Sequence, residues 1–252
     1  MPLGGHYDGR DAAEIADFLG VKIVTEGRDY SSSSPWAPCY NGDSSEQGRR
    51  ATRMANGGAI VLAGGRSERM GQDKALLRWN GVSLLEGAVA TLRPLVREVV
   101  IVADRADRYD LPDCRTVADA FPQTGPLGGI LTGLIALGTG MHLAVACDMP
   151  SLQPAVLRLL LDAATPEWDV VVPEIDGRLE PLCAVYADTA VPALQDFLQG
   201  GGRALHKALD LLRTRRISEA DLRRCDPALL TFTNLNTPHD LERLQRSEAN
   251  RP

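Results

Sequence analysis

The sequence predicts an α/β fold organised around a mostly parallel sheet, and two observations carry that prediction. From residue 58 onward, short and wholly apolar runs alternate with amphipathic segments, the pattern of βαβ units joined by right-handed crossovers. Two of those runs also end directly in residues suited to ligand binding, Gly64-Gly65 and Asp148. They would stand at the carboxyl ends of strands, where open α/β sheets place their ligands.

The elements follow in order. Ala59-Ile60-Val61-Leu62-Ala63 is an apolar run feeding a glycine pair, as a buried parallel strand entering a loop would be. Leu84 to Leu95 reads as an amphipathic helix stopped near Pro94, and Val99–Ala103 as a second buried strand. Arg115-Thr116-Val117 gives a short third strand, Gly129–Leu137 a helix, and Leu143–Cys147 a further strand ending at Asp148. Pro154–Ala164 is helical in pattern, and Asp169–Val172 is again a strand. The remainder is more mixed. Leu182–Tyr186 reads as a strand, Val191–Leu198 and Arg203–Leu212 as helices, and Leu229–Thr233 as a late strand ahead of a helix opened by Pro238.

Residues 1–53 differ from the rest. Ser31-Ser32-Ser33-Ser34-Pro35 and Asn41-Gly42-Asp43-Ser44-Ser45 are polar and turn-prone, and only Ala12–Leu19 and Val21–Val24 suggest order. The segment is expected to be a flexible polar extension, with a small accessory module as the alternative. Met54 stands just before the first strand, so Met54 is an alternative to Met1 as the start of translation. Residues 54–252 form the expected functional domain.

Bulk properties bound the function. A net charge of −6 argues against a partner held by charge alone, whether nucleic acid or an anionic membrane, though not against a small anion in one cationic cleft. Cys39, Cys114, Cys147, Cys183 and Cys225 are scattered without a CxxC pair, which favours reduced thiols over a zinc site or disulfide framework. No apolar run reaches the ~20 residues of a membrane helix, and the first residues lack the basic-then-apolar order of a secretion signal. The expected location is the cytoplasm.

The chemistry concentrates in Leu62–Leu77, LAGGRSERMGQDKALL. Glycines let backbone approach a ligand closely, and their N–H groups can cradle phosphate oxygens. Arg66, Arg69 and Lys74 supply cations for a polyphosphate. The same residues could instead form a tight strand-to-helix turn with solvated charges. Two standard nucleotide motifs are excluded: GxxxxGK[ST] fails at Gln72-Asp73, and GxGxxG is absent from this turn.

This stretch, with Gly125-Pro126-Leu127-Gly128-Gly129-Ile130, Cys147-Asp148-Met149-Pro150, Glu180-Pro181-Leu182 and Asn234-Leu235-Asn236-Thr237-Pro238, resembles the MobA family of molybdenum cofactor guanylyltransferases. The resemblance covers about residues 58–245. It implies a Rossmann-like three-layer αβα fold of the nucleotide-diphospho-sugar transferase type. Leu62, Ala63 and Gly64, with Gly65 beside them, would then contact the nucleotide, and Lys74 would hold its phosphates. Asp119 matches an acidic position at the guanine nucleotide site, with a turn or cap role equally open on the residues alone. Asp148 matches the aspartate that binds Mg²⁺, and Ser151 is the residue that could relieve it of capping the following turn. Where the family often has asparagine at the end of the second strand, this chain has Val102, with Asp104 two residues on. Gly200-Gly201-Gly202-Arg203 resembles a segment near the pterin side, and an ordinary loop with a surface arginine is the alternative. His206 on the next helix reads as packing or surface rather than a base.

The implied reaction is attack by the terminal phosphate of the molybdenum–molybdopterin cofactor on the α-phosphorus of GTP, with pyrophosphate leaving. A phosphate monoester needs no strong base, so alignment and charge neutralisation by Lys74, Arg69 and Mg²⁺ on Asp148 would suffice. GTP and the pterin are the expected substrates, with transient contact to molybdoenzymes or their chaperones, and with neither nucleic acid nor membrane as partner. The rivals are a CTP-dependent sister enzyme, a transferase for sugar phosphates and a non-catalytic nucleotide-binding carrier.

Overall fold

The computed structural model describes residues 57–64, 73–235 and 240. The expectations for residues 1–53, for Gly65, Arg66 and Arg69, and for the helix opened by Pro238 lie outside those residues.

Ten strands and six helices are named here. The strands are β1 (Gly58–Leu62), β2 (Arg78–Trp79), β3 (Val82–Ser83), β4 (Glu98–Ala103), β5 (Cys114–Ala118), β6 (Met141–Ala146), β7 (Val170–Ile175), β8 (Arg178–Leu179), β9 (Cys183–Ala187) and β10 (Thr214–Ser218). The helices are α1 (Leu84–Leu92), α2 (Pro126–Leu137), α3 (Pro154–Ala163), α4 (Val191–Gln199), α5 (Leu205–Ala208) and α6 (Glu219–Cys225). The main sheet has the order β10-β7-β9-β6-β1-β4-β5, with β8 paired to β7. β1, β4, β5 and β6 run parallel, as do β7 and β10, whereas β9 is antiparallel to both β6 and β7.

The apolar runs form the centre of this sheet because both of its faces are covered. Val61, Ile101, Val145 and Val171 pack under α1 and α3, together with Leu222 of α6. Ile60, Val100, Ala144 and Val172 pack under α2, α4 and α5. A strand buried on both sides has no polar alternation to keep, which is why these runs read as continuous hydrophobics. The result is the expected three-layer αβα arrangement.

Local signals account for most boundaries. Ser83 caps α1: its hydroxyl accepts from the Glu86 N–H while the Glu86 carboxylate accepts from the Ser83 N–H at 2.8 Å, a reciprocal capping box. α2, α3 and α4 each carry proline in the first turn, where a missing N–H costs nothing. At the amino edge of the sheet, the Gly58 N–H donates to His142 Nδ1 at 2.9 Å, and His142 Nε2 lies 3.0 Å from the Gly138 carbonyl. That buried ring joins the start of β1 to the end of α2.

Three expectations are corrected. Leu229–Thr233 is not a strand but one tight turn, Leu230–Phe232. Its backbone is satisfied locally, with the Thr231 N–H donating to Asp226 at 2.8 Å and the Thr231 hydroxyl accepting from the Gln153 N–H at 3.2 Å, so no ladder forms. The helix expected over Arg203–Leu212 is only the four residues of α5 followed by a turn, Leu209–Leu211. The chain must descend there to start β10 beside β7, where Arg213 grips Asp169 through two side-chain bonds of 2.9 and 2.6 Å. Finally, β10 and α6 have no counterpart among the expected elements. Among the described residues β10 pairs on one side only, and it carries Arg215 and Arg216, a charged edge strand without an apolar run to announce it.

Candidate active site

The candidate site is the carboxyl rim of the sheet above β4, β1 and β6. β1 leaves the sheet held on both sides: the Ala63 N–H donates to the Val102 carbonyl at 2.9 Å, and the Cys147 N–H donates to the Leu62 carbonyl at 3.1 Å. Leu62 and Ala63 are half-buried there and Gly64 is exposed, so the strand delivers backbone to the crevice in a fixed orientation. Val102 belongs to the sheet core on the α2 face.

Lys74 re-enters opposite. It starts a single helical turn, Lys74–Leu76, capped by Asp73, whose Oδ1 accepts from the Ala75 N–H at 3.1 Å. The Lys74 ammonium reaches Asp148 Oδ2 at 3.5 Å, with the two side chains 23% and 21% exposed. These two residues, expected to act together, therefore meet across 74 positions of sequence. Asp148 is held by its neighbours: Met149 is buried, and the Asp148 carbonyl accepts from the Leu235 N–H at 2.9 Å. Leu235 is itself buried with Trp79 and Leu84. The Asn234-Leu235 end of the last motif thus braces the metal candidate through backbone, and the β2–β3 hairpin supplies its apolar seat.

Among the described residues no three carboxylate, thiol or imidazole groups cluster as a self-sufficient metal site. A magnesium ion does not need one: it is usually held by one or two carboxylates, with waters and substrate phosphates completing the octahedron. A single, partly exposed aspartate beside a phosphate-seeking lysine fits that requirement. The adjacent Cys147 is no nucleophile, because burial pushes its thiol up to about 12 and leaves it protonated.

Asp119 lies at the end of β5, its N–H bonded to the Ala103 carbonyl at 2.7 Å. Its Oδ1 accepts from the Phe121 N–H at 2.9 Å and the Thr132 hydroxyl at 3.0 Å, and burial raises its carboxyl above the usual range. These bonds make it the turn residue between β5 and α2. It stands on the same rim, with β1 and β4 between it and β6, and does not join Lys74 and Asp148.

Two other sequence features have structural explanations. In the GPLGG motif and the turn after it, the α-carbons of α2 press directly on β1. A Cβ on Gly129 would come 2.9 Å from Leu62 Cδ2, and one on Gly133 would come 2.5 Å from Ile60 Cγ2. Arg203 is exposed and donates to the Leu198 and Gly202 carbonyls at 2.9 and 2.8 Å, closing the end of α4. With α5 only four residues long, the helix start behind it offers little dipole.

Sequence reasoning overlooked a network behind Lys74. Asp73 Oδ2 accepts from Arg108 Nη2 at 2.7 Å, Arg108 Nε at 3.1 Å and the Tyr109 hydroxyl at 2.9 Å. Arg108 also pairs with Asp104 at 3.2 Å. Burial works against the charge on Asp73, but the bonds from Arg108, Tyr109 and Ala75 outweigh it and hold the carboxyl below its usual range. Asp73 as a cap one residue ahead of a helical turn was a readable signal. Its partners come from a segment with no local motif.

A lysine and a strand-end aspartate that meet on the rim of a three-layer sheet, where β1 enters the glycine-rich sequence, are the arrangement of a nucleotidyltransferase. Comparisons with known proteins give its family. Residues 59–214 match the model of the MobA-like NTP transferase domain. The chain is 41% identical over 197 residues to a protein of Chloroflexus aggregans named "Probable molybdenum cofactor guanylyltransferase", covering 74% of this chain and 92% of that one. It is 35% identical over 187 residues to the "Molybdenum cofactor guanylyltransferase" of Desulfosudis oleivorans, covering 74% and 93%. Among solved structures, the molybdopterin-guanine dinucleotide biosynthesis protein A of Archaeoglobus fulgidus superposes with a TM-score of 0.67 at 28% identity, over 77% of this chain and all of that one. The chain belongs to the MobA-like NTP transferase family.

Proposed function

We propose that this enzyme transfers GMP from GTP to the terminal phosphate of the molybdenum–molybdopterin cofactor. A phosphate oxygen of the acceptor attacks the α-phosphorus of GTP, the bond from that phosphorus to the bridging oxygen of the β-phosphate breaks, and pyrophosphate leaves with the electron pair. The product is a guanine dinucleotide form of the cofactor. The observation that carries this reading is the meeting of Lys74 and Asp148 at 3.5 Å, on the rim that β1 enters through Leu62 and Ala63.

Each group has a task. Leu62, Ala63, Gly64 and Gly65 present backbone to the nucleotide, and Lys74 holds its phosphates as a point charge. Asp148 would hold Mg²⁺, which supplies positive charge to the triphosphate when bound. Arg69 would neutralise the charge developing on the leaving pyrophosphate, and Asp119 would serve the guanine side with the oxygen its turn leaves over. The attacking phosphate is already ionised at neutral pH, which accounts for a site without a strong base. The rate then comes from alignment and fixed charge.

The proposed setting is the cytoplasm, where Cys114, Cys147, Cys183 and Cys225, all free thiols, would remain reduced. No helix among the described residues is long and apolar enough to cross a membrane. The finished cofactor would pass by transient contact to molybdoenzymes or their chaperones. Residues 54–252 are proposed as the nucleotidyltransferase domain, with 1–53 as an N-terminal extension.

Thermal melting tests the nucleotide. With Mg²⁺ present and GTP about 100-fold above its Kd, the melting temperature should rise by about 5–10 °C. Stabilisation by CTP and not by GTP would overturn the guanylyl assignment in favour of the cytidylyl sister.

A further inference from the structure

The segment after β4 touches both ends of the glycine-rich stretch. The Tyr109 hydroxyl donates to Asp73 Oδ2 at 2.9 Å, at the exit of that stretch, and also lies 3.2 Å from the Ala63 carbonyl at its entrance. Arg108 adds two bonds to the same carboxylate oxygen. The backbone of Tyr109 is in turn anchored to the sheet, since the Thr116 hydroxyl of β5 donates to the Tyr109 carbonyl at 2.8 Å. Tyr109 is 8% exposed and packs into the core cluster that holds β1 and α1. A buried tyrosine hydroxyl needs a partner, but a local turn would have met that need. Here the partners are the two residues that flank the glycine-rich stretch, and Asp73 is also the cap that starts the turn carrying Lys74.

We propose that Tyr109, backed by Arg108, is a positioning residue that ties the two ends of the glycine-rich stretch together and so sets the affinity for the nucleotide. The proposal rests on the guanylyltransferase reading for its kinetic test but not for its binding test. Tyr109 does not touch the reacting atoms. It acts through Ala63 and Asp73, and through Asp73 on the direction of Lys74. Its loss should therefore weaken the nucleotide side of the site and leave the acceptor side unchanged.

The test uses the full chain carrying Tyr109→Phe, with Asp73→Asn as a second route to the same contact and Arg224→Ala, on the far surface of α6, as a control. In Tyr109→Phe the KM for GTP should rise about tenfold, the scale of losing one hydrogen bond to a charged group. The KM for the pterin acceptor should be unchanged and the melting temperature should stay within about 2 °C of wild type. Asp73→Asn should shift the GTP KM in the same direction, and Arg224→Ala should match wild type. A wild-type GTP KM in Tyr109→Phe would overturn the proposal. So would equal increases in both KM values accompanied by a large fall in melting temperature, which is what a merely structural tyrosine would give. If Tyr109→Phe does not fold, Asp73→Asn decides on the same criteria. If the wild type transfers nothing from any nucleotide, the guanylyltransferase reading fails, and calorimetric binding of Mg-bound GTP, CTP and ATP still tests the tie. Binding about tenfold weaker in the variant supports it, whereas equal affinity, or no nucleotide binding by wild type, overturns it.

Discussion

Replacing Lys74 with alanine, or Asp148 with asparagine, should lower kcat for guanylyl transfer by about 100- to 1000-fold while leaving the fold intact. The size follows from what each group does. Removing one fixed charge from a site that works by charge neutralisation costs transition-state stabilisation directly, because there is no covalent step to fall back on. The fold should survive because the pair is partly solvated, 23% and 21% exposed. A contact of that kind contributes at most about 1 kcal/mol to stability. The backbone bond from Leu235 to the Asp148 carbonyl is also untouched by either substitution. The two variants should differ in kind. Asp148→Asn should raise the Mg²⁺ concentration needed for half-maximal rate, and Lys74→Ala should raise the KM for GTP. The double variant should be little worse than the poorer single, since the two side chains work on one triphosphate. Full wild-type turnover in either single variant would remove that residue from the chemistry.

The second large effect is on stability. Gly133 lies where α2 crosses β1, and a Cβ added there would be 2.5 Å from Ile60 Cγ2 and 2.7 Å from Ile60 Cγ1. Those atoms sit close to the strand backbone and cannot swing away as the tip of a long side chain could. Helix and strand must separate, and overpacking of this kind costs about 1–3 kcal/mol. Gly133→Ala should therefore lower the melting temperature by about 4–10 °C. Gly133→Val should lower it further. The cause is checked by a double-mutant cycle. Ile60→Ala alone destabilises by opening a cavity, but combined with Gly133→Ala it should cost clearly less than the two separate losses added together. Strict additivity would show that the steric contact is not the reason for glycine at this position.

That glycine also shows where reading a sequence succeeds and where it stops. GPLGGI stood out in the chain as one of the segments that carry the family resemblance. The structure gives Gly129 and Gly133 a packing reason, against Leu62 and Ile60, which no reader of one sequence could separate from a binding reason. The buried strands were legible because burial on both faces writes an uninterrupted apolar run, as in Gly58–Leu62 and Glu98–Ala103. β10 was not, because an edge strand with one partner can afford Arg215 and Arg216, and its sequence then looks like a loop. The opposite error came at Leu229–Thr233, whose β-prone residues bond to Asp226 and Gln153 instead of to a neighbouring strand.

The candidate site divides in the same way. Asp148 was visible because it follows a strand end and Lys74 because it closes the glycine-rich stretch, and each has a residue type matched to metal or phosphate. Their meeting at 3.5 Å is a product of β1 and β6 lying side by side. Asp73, Arg108 and Tyr109 were hidden because their chemistry exists only after folding, when the segment behind β4 meets Asp73 and Ala63. Arg203 illustrates the converse, a cation flagged by its glycine-rich setting that the structure uses to close the end of α4.

The central claim is tested most directly by turnover with purified full-length protein, Mg²⁺ and molybdenum-loaded molybdopterin, offered GTP and CTP labelled at the α-phosphate in separate reactions. The label should appear in a pterin dinucleotide from GTP, with one pyrophosphate released per nucleotide transferred, and should not appear from CTP. Transfer from CTP in place of GTP, or nucleotide binding with no pyrophosphate release, would contradict it.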